Sequence, residues 1–226
     1  MTFQGPAQLA WNSLSSSQQL FIESLPKAEL HAHLNGSIPL ETLSFLASQS
    51  TLHGPELETR LKAFENGVQL TEIHDFFALF PAIYKLTSTP DALAIATRAV
   101  LDFFLKPGQA SYIELRSTPR KTHSLSRKTY VEAVLGVVEM YPEDKVGGLI
   151  LSLDRRMEDK DMSEVVDILL EMKENGRRVL GIDLCGDPTA RDVGEFGPHF
   201  ARVRDAGLGI TLHIAEVNFF RVFSIC

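Results

Sequence analysis

Two histidines stand two residues apart in the stretch Pro26-Lys27-Ala28-Glu29-Leu30-His31-Ala32-His33-Leu34-Asn35-Gly36-Ser37. On a β-strand, residues i and i+2 point to the same face. A strand here presents the imidazoles of His31 and His33 side by side. Neutral imidazole is the commonest protein ligand for zinc, although such pairs also arise on surfaces and in cores. A second stretch, Thr211-Leu212-His213-Ile214-Ala215-Glu216, offers a third imidazole and, just beyond it, a carboxylate. Together these residue types can make a zinc site beside an acid–base group. Zinc lowers the pKa of water toward neutrality. A glutamate such as Glu216 can take the proton and pass it to a ring nitrogen or leaving group.

The elements that must position these residues are readable in chain order. Ser15-Ser16-Ser17 caps a short helix that Pro26 stops. A strand over 28–33 follows, then turn chemistry at Asn35-Gly36. Pro39 starts a helix. The spacing of Ile73, Phe76, Phe77, Phe80, Ile83 and Tyr84 predicts another, kinked at Pro81. A further helix starts at Ser88-Thr89-Pro90-Asp91 and ends at Pro107-Gly108. The pattern then becomes regular. Strands over 110–116, 146–153, 179–184 and 208–213 alternate with helices over 126–140, 161–175 and 192–206. Such alternation predicts a parallel α/β fold.

Each strand exit carries polar or glycine residues: Ser117-Thr118-Pro119-Arg120, Asp154-Arg155-Arg156 and Cys185-Gly186-Asp187-Pro188. Barrel enzymes place their chemistry at the carboxyl ends of strands. A doubly wound sheet does so too, but no Gly-rich phosphate loop follows the first strand here. The expected fold is therefore of the (β/α)8 TIM-barrel type. Residues 1–14 read as a loose arm, 15–217 as the barrel segment and 218–226 as a divergent tail.

The chain has 226 residues, 44% hydrophobic and 23% charged, close to a soluble globular average, and a net charge of -7. The acidic balance argues against nucleic acid or an anionic membrane as partner. Two cysteines, Cys185 and Cys226, make no disulfide framework and fit a reducing compartment. No secretory leader is recognisable, and no apolar run approaches the ~20 residues of a membrane span. The expectation is a cytosolic protein.

PKAELHAHLNGSI, TLHIAE and the GIDLCGDP exit together resemble the adenosine deaminase family of zinc barrel enzymes. RSTPRK at 116–121 and LDRR at 153–156 are similar to its branch acting on N6-methyl-AMP. The resemblance implies zinc, one per subunit, held by His31, His33 and His213. It implies that Glu216 protonates the purine ring as water attacks C6. His33 and Asn35 would contact the nucleoside, and Gly186 would let the backbone approach the purine. Where the family generally has an aspartate, Asn35 removes a negative charge, which suits a 5′-phosphate. Ser117, Thr118 and Arg120, shaped by Pro119, would hold that phosphate. Asp154 would hold Arg120 or a substrate hydroxyl. The implied partner is a small purine nucleotide, and a complete barrel of this kind is expected to be monomeric.

Two departures qualify the resemblance. Tyr84 stands where the nucleotide branch has a substrate-contacting histidine. After Glu216-Val217 the chain runs Asn218 to Cys226, unlike the family, so about five of eight β/α units are expected. The tail reads as an alternative splice end or a gene-model artefact, and weak or absent activity is expected of the chain alone. The competing functions are an inactive binding fragment and a metal-dependent phosphoesterase using His-x-His on a first strand. His53, His74, His123 and His199 read as surface or helix-face residues, Cys185 as a small buried one, and Asp187 as a turn former or a substrate contact.

Overall fold

The computed structural model describes residues 5–50, 78, 80–107 and 109–214. Five strands form one sheet in the order β1 (Ala28–His33), β2 (Tyr112–Ser117), β3 (Val146–Asp154), β4 (Val179–Cys185) and β5 (Gly209–Leu212). Each pairs in parallel with its neighbour. Consecutive parallel strands in this order are a partial TIM barrel, as the strand–helix alternation predicts.

Among the described residues the helices are α1 (Gly5–Asn12), α2 (Ser16–Ser24), α3 (Leu40–Gln49), α4 (Phe80–Leu86), α5 (Pro90–Phe104), α6 (Arg127–Val138), α7 (Asp159–Glu174) and α8 (Gly197–Asp205). The expected caps are in place. Ser15 and Gln18 form a reciprocal capping box on α2, and Thr89 caps α5 with Pro90 in its first turn. Three readings change. The arm at 1–14 carries helix α1, none of whose residues is buried. Pro81, read as a kink, lies in the first turn of α4. The helix expected over 192–206 is split into a 3-10 turn, Val193–Phe196, and α8. Residues 51–77, Glu216 and the tail lie outside the described residues.

The core lies between the sheet and its helices. β3 is buried along its first eight residues, which a strand covered on both faces requires. Leu149, Leu151 and Leu153 of β3 join Val165, Val166 and Leu169 of α7 and Val131, Val134 and Leu135 of α6. Burying each such side chain contributes about 1.5–3 kcal/mol. β1 and β5, which have one strand neighbour each among the described residues, are mostly exposed or half-buried.

The sheet is curled. In a flat sheet, strands first and fifth in order stand ~19 Å apart, four gaps of about 4.8 Å. Yet His31 on β1 and His213, just past β5, bring their Nε2 atoms to 2.7 Å. Curling carries the carboxyl ends of both outer strands to one point.

Candidate active site

That point holds three imidazoles. Nε2 of His31 lies 3.2 Å from Nε2 of His33 and 2.7 Å from that of His213, and His33 and His213 are 3.0 Å apart. Alternation on β1 aims His31 and His33 the same way, as the spacing predicts.

The tautomer of His213 follows from its other nitrogen. Nδ1 faces the carbonyl of Leu184 at 2.9 Å and Oδ1 of Asp183 at 3.2 Å, both acceptors. Nδ1 therefore carries the proton, and Nε2 turns a lone pair toward the other two rings. Burial, and then the neighbouring His213, pushes His33 down to about 4. Burial, and then the Arg116 charge, lowers His31 as well. Neutral imidazoles bind metal without first losing a proton.

Asp183 is the hub behind His213. Its carboxylate also accepts from Ser152 Oγ at 3.1 Å and Thr211 Oγ1 at 2.8 Å, and pairs with Arg116 at 3.1 Å. Burial alone would raise its pKa; the hydrogen bonds from His213 and Thr211 and the Arg116 charge hold it below the ordinary carboxylate range. Arg116 reaches further, donating to the Leu30 carbonyl at 2.6 Å. One buried guanidinium thus ties together β1, β2, β4 and β5. Sequence reasoning gave neither Asp183 nor Arg116 a role, although both lie in quoted motifs. The available signal was a charge inside an apolar strand, which must be paired when buried.

The three nitrogens fit a metal. Zn–N bonds of 2.0–2.1 Å at tetrahedral angles put ligand nitrogens about 3.3 Å apart, and three protein ligands leave a position open for water or substrate. A second grouping of His33, Asp183 and Cys185 also converges. It is the poorer set, because Asp183 is already engaged and burial pushes the Cys185 thiol up to about 12.

The histidines line a cavity of about 350 Å3 with Asn35, Phe80, Tyr84, Ser117, Thr118, Asp154 and Gly186, within the range of small-molecule sites. An adjoining cavity shares Tyr84, Thr118, Asp154 and Arg156, and adds Pro119, Arg120, Lys85, Lys121 and Arg127. Of the expected ligand-binding residues, Pro119 and Arg120 therefore line the adjoining space, and the others line the histidine cavity.

Several sequence-based roles change in detail. Arg120 donates to the carbonyls of Tyr84 at 3.1 Å and Thr87 at 3.2 Å, and to Thr87 Oγ1 at 2.8 Å. Its guanidinium carbon sits 4.2 Å from the centroid of the Tyr84 ring. Arg120 thus clamps the end of α4. Asp154 grips Arg156, with contacts of 2.7 and 2.9 Å, and does not hold Arg120. Gly186 has φ +91°, and a Cβ there would lie 2.6 Å from Oδ1 of Asp154. A glycine is therefore required by the backbone and Asp154, before any ligand is considered. Asp187 forms an Asx turn, accepting from Thr189 N at 2.9 Å. His123 is exposed, and His199 is buried on α8 beside Asp159.

Residues 26–222 match the adenosine deaminase family profile.

The chain belongs to the adenosine deaminase family.

Its relatives include the human N6-methyl-AMP deaminase, 34% identical over 206 residues, covering 87% of this chain and 56% of that protein. The Arabidopsis thaliana N6-mAMP deaminase is 35% identical over 228 residues, covering 87% and 62%. Among solved structures, Arabidopsis ADAL complexed with IMP superposes with a TM-score of 0.73 at 33% identity, covering 88% of this chain and 61% of that one. The chain thus spans somewhat over half the length of these adenosine deaminase relatives. No helix among the described residues is long and apolar enough to cross a membrane.

Proposed function

We propose that this chain serves hydrolytic deamination at C6 of a purine nucleotide, with N6-methyl-AMP as substrate and IMP and methylamine as products. The observation that carries the reading is the convergence of the His31, His33 and His213 Nε2 atoms, 2.7–3.2 Å apart, on the wall of a ligand-sized cavity. Relatives named as N6-methyl-AMP deaminases and a neighbour solved with IMP support the nucleotide.

His31, His33 and His213 would hold zinc, which when bound supplies a Lewis acid that makes water a nucleophile at neutral pH. Asp183 keeps the His213 ring turned with its Nε2 lone pair forward. Water adds to C6, Glu216 gives a proton to the purine ring, and the C6–N bond breaks as the amine leaves with a proton. Phe80 and Tyr84 wall the cavity, limiting water around the base. Asn35, Ser117 and Thr118 meet the sugar–phosphate end, and the cations of the adjoining cavity favour an anion there.

Incubating the zinc-supplied chain with N6-methyl-AMP, AMP and adenosine, and following IMP or inosine with the released amine, tests the reading. Release of methylamine from N6-methyl-AMP in preference to ammonia from adenosine is expected. Preference for adenosine would overturn the nucleotide assignment.

A further inference from the structure

Three side chains beside the histidine cavity form a closed hydrogen-bonded group. Tyr130 of α6 places its hydroxyl 2.7 Å from Ser117 Oγ and 3.2 Å from Asn35 Nδ2, and Asn35 Nδ2 is 3.5 Å from Ser117 Oγ. Tyr130 is 0% exposed, Ser117 2% and Asn35 6%. Asn35 and Ser117 line the cavity; Tyr130 stands behind them.

The directions of these bonds can be worked out. Arg120, which can only donate, faces Asn35 Oδ1 at 3.5 Å. The amide of Asn35 is therefore turned with Nδ2 toward the two hydroxyls, which accept from it. Two hydroxyl protons remain, and the Tyr130–Ser117 bond uses one. If Ser117 donated, the Tyr130 proton would be buried with no acceptor among the described residues, at the full desolvation cost of that proton. If Tyr130 donates, the spare proton is that of Ser117, which borders the cavity.

We propose that Tyr130 is a positioning residue that fixes the Ser117 hydroxyl with its proton turned into the cavity, so that this end selects a ligand rich in acceptors, a 5′-phosphate over a 5′-hydroxyl. The proposal rests on the nucleotide reading above. A hydrogen bond to a charged acceptor is about twice as strong as one to a neutral acceptor. The oriented proton therefore favours the phosphate more than the alcohol.

The test is calorimetric binding of IMP and inosine to the zinc-supplied chain and to Tyr130→Phe, Ser117→Ala and the double variant. Tyr130→Phe is expected to weaken IMP about tenfold and inosine less than about twofold, the difference expected from one charge-assisted hydrogen bond. In the Ser117→Ala background, Tyr130→Phe is expected to add no further selective loss, because its effect passes through Ser117. A merely structural role for Tyr130 would weaken both ligands alike and add to Ser117→Ala, and either result overturns the proposal. Should Tyr130→Phe fold poorly, a Ser117→Ala variant that binds IMP and inosine in the wild-type ratio overturns it alone. A wild-type chain that binds neither ligand removes the nucleotide reading and this proposal together. A wild-type chain that binds IMP, with Tyr130→Phe unchanged, removes only this one.

Discussion

Nδ1 of His213 donates to Oδ1 of Asp183 at 3.2 Å, and this contact aims the ring at the end of one outer strand toward the two imidazoles on the other. Asp183 does so from inside β4, buried completely and neutralised by Arg116. Replacing it should loosen the metal more than the fold's outline suggests. Asp183→Asn is expected to weaken zinc binding about 10–100-fold, the usual effect of losing such a supporting carboxylate. Competition with a chromophoric chelator measures it. Unchanged zinc affinity would show that the Leu184 carbonyl alone orients the ring.

Arg120 reads as a clamp on the end of α4. Its removal leaves the carbonyls of Tyr84 and Thr87 and the fully buried Thr87 hydroxyl without this donor. Arg120→Ala is expected to cost about 1–3 kcal/mol in denaturant unfolding. Arg120→Lys should recover little, because one ammonium cannot serve the same spread of acceptors. Full stability combined with lost IMP binding would return Arg120 to the ligand.

Gly186 faces a double constraint, φ +91° and a virtual Cβ only 2.6 Å from the Asp154 carboxylate. Gly186→Ala is expected to destabilise the chain by about 1–3 kcal/mol without any ligand present. A variant as stable as wild type but deficient in nucleotide binding would instead place the constraint on the purine.

Away from the site, Glu139 joins the end of α6 to the start of β4. It accepts from Arg177 Nε at 2.9 Å and from the Arg178 backbone at 3.1 Å. Burial works to raise its pKa, but the hydrogen bonds from Arg177 and Arg178 win and lower it below the ordinary value of 4.5. A carboxylate with a depressed folded pKa contributes stability above its unfolded value and loses it as pH falls through the folded one. Glu139→Gln should therefore cost up to about 1 kcal/mol at neutral pH. The gap to wild type should close on acidification below the ordinary carboxylate range. Thermal melts at both pH values check this; a gap that persists in acid would mean that shape rather than charge matters.

Much of this was legible in residue types. Five strands and their polar exits were marked by apolar runs ending at Pro, Gly or charged residues, and the His31, His33 and His213 set met as expected. Partners reached only through folding were not legible. Arg120 looks like a free cation in sequence, because nothing local shows that Tyr84 and Thr87 offer it carbonyls. Tyr130 looks like a core aromatic on α6, and its hydroxyl gains meaning only where Ser117 and Asn35 meet it. Asp183 and Arg116 carried a usable signal, since a charge within an apolar parallel strand must find a partner.

Whether His31, His33 and His213 together hold a metal is read from the metal content of the chain after zinc exposure and desalting. About one zinc per chain is expected for the wild type, with a loss of at least roughly tenfold in affinity for His31→Ala, His33→Ala and His213→Ala. A monodisperse wild-type chain that emerges free of zinc, or a His213→Ala variant that retains it equally well, would show that the three imidazoles are not the metal site.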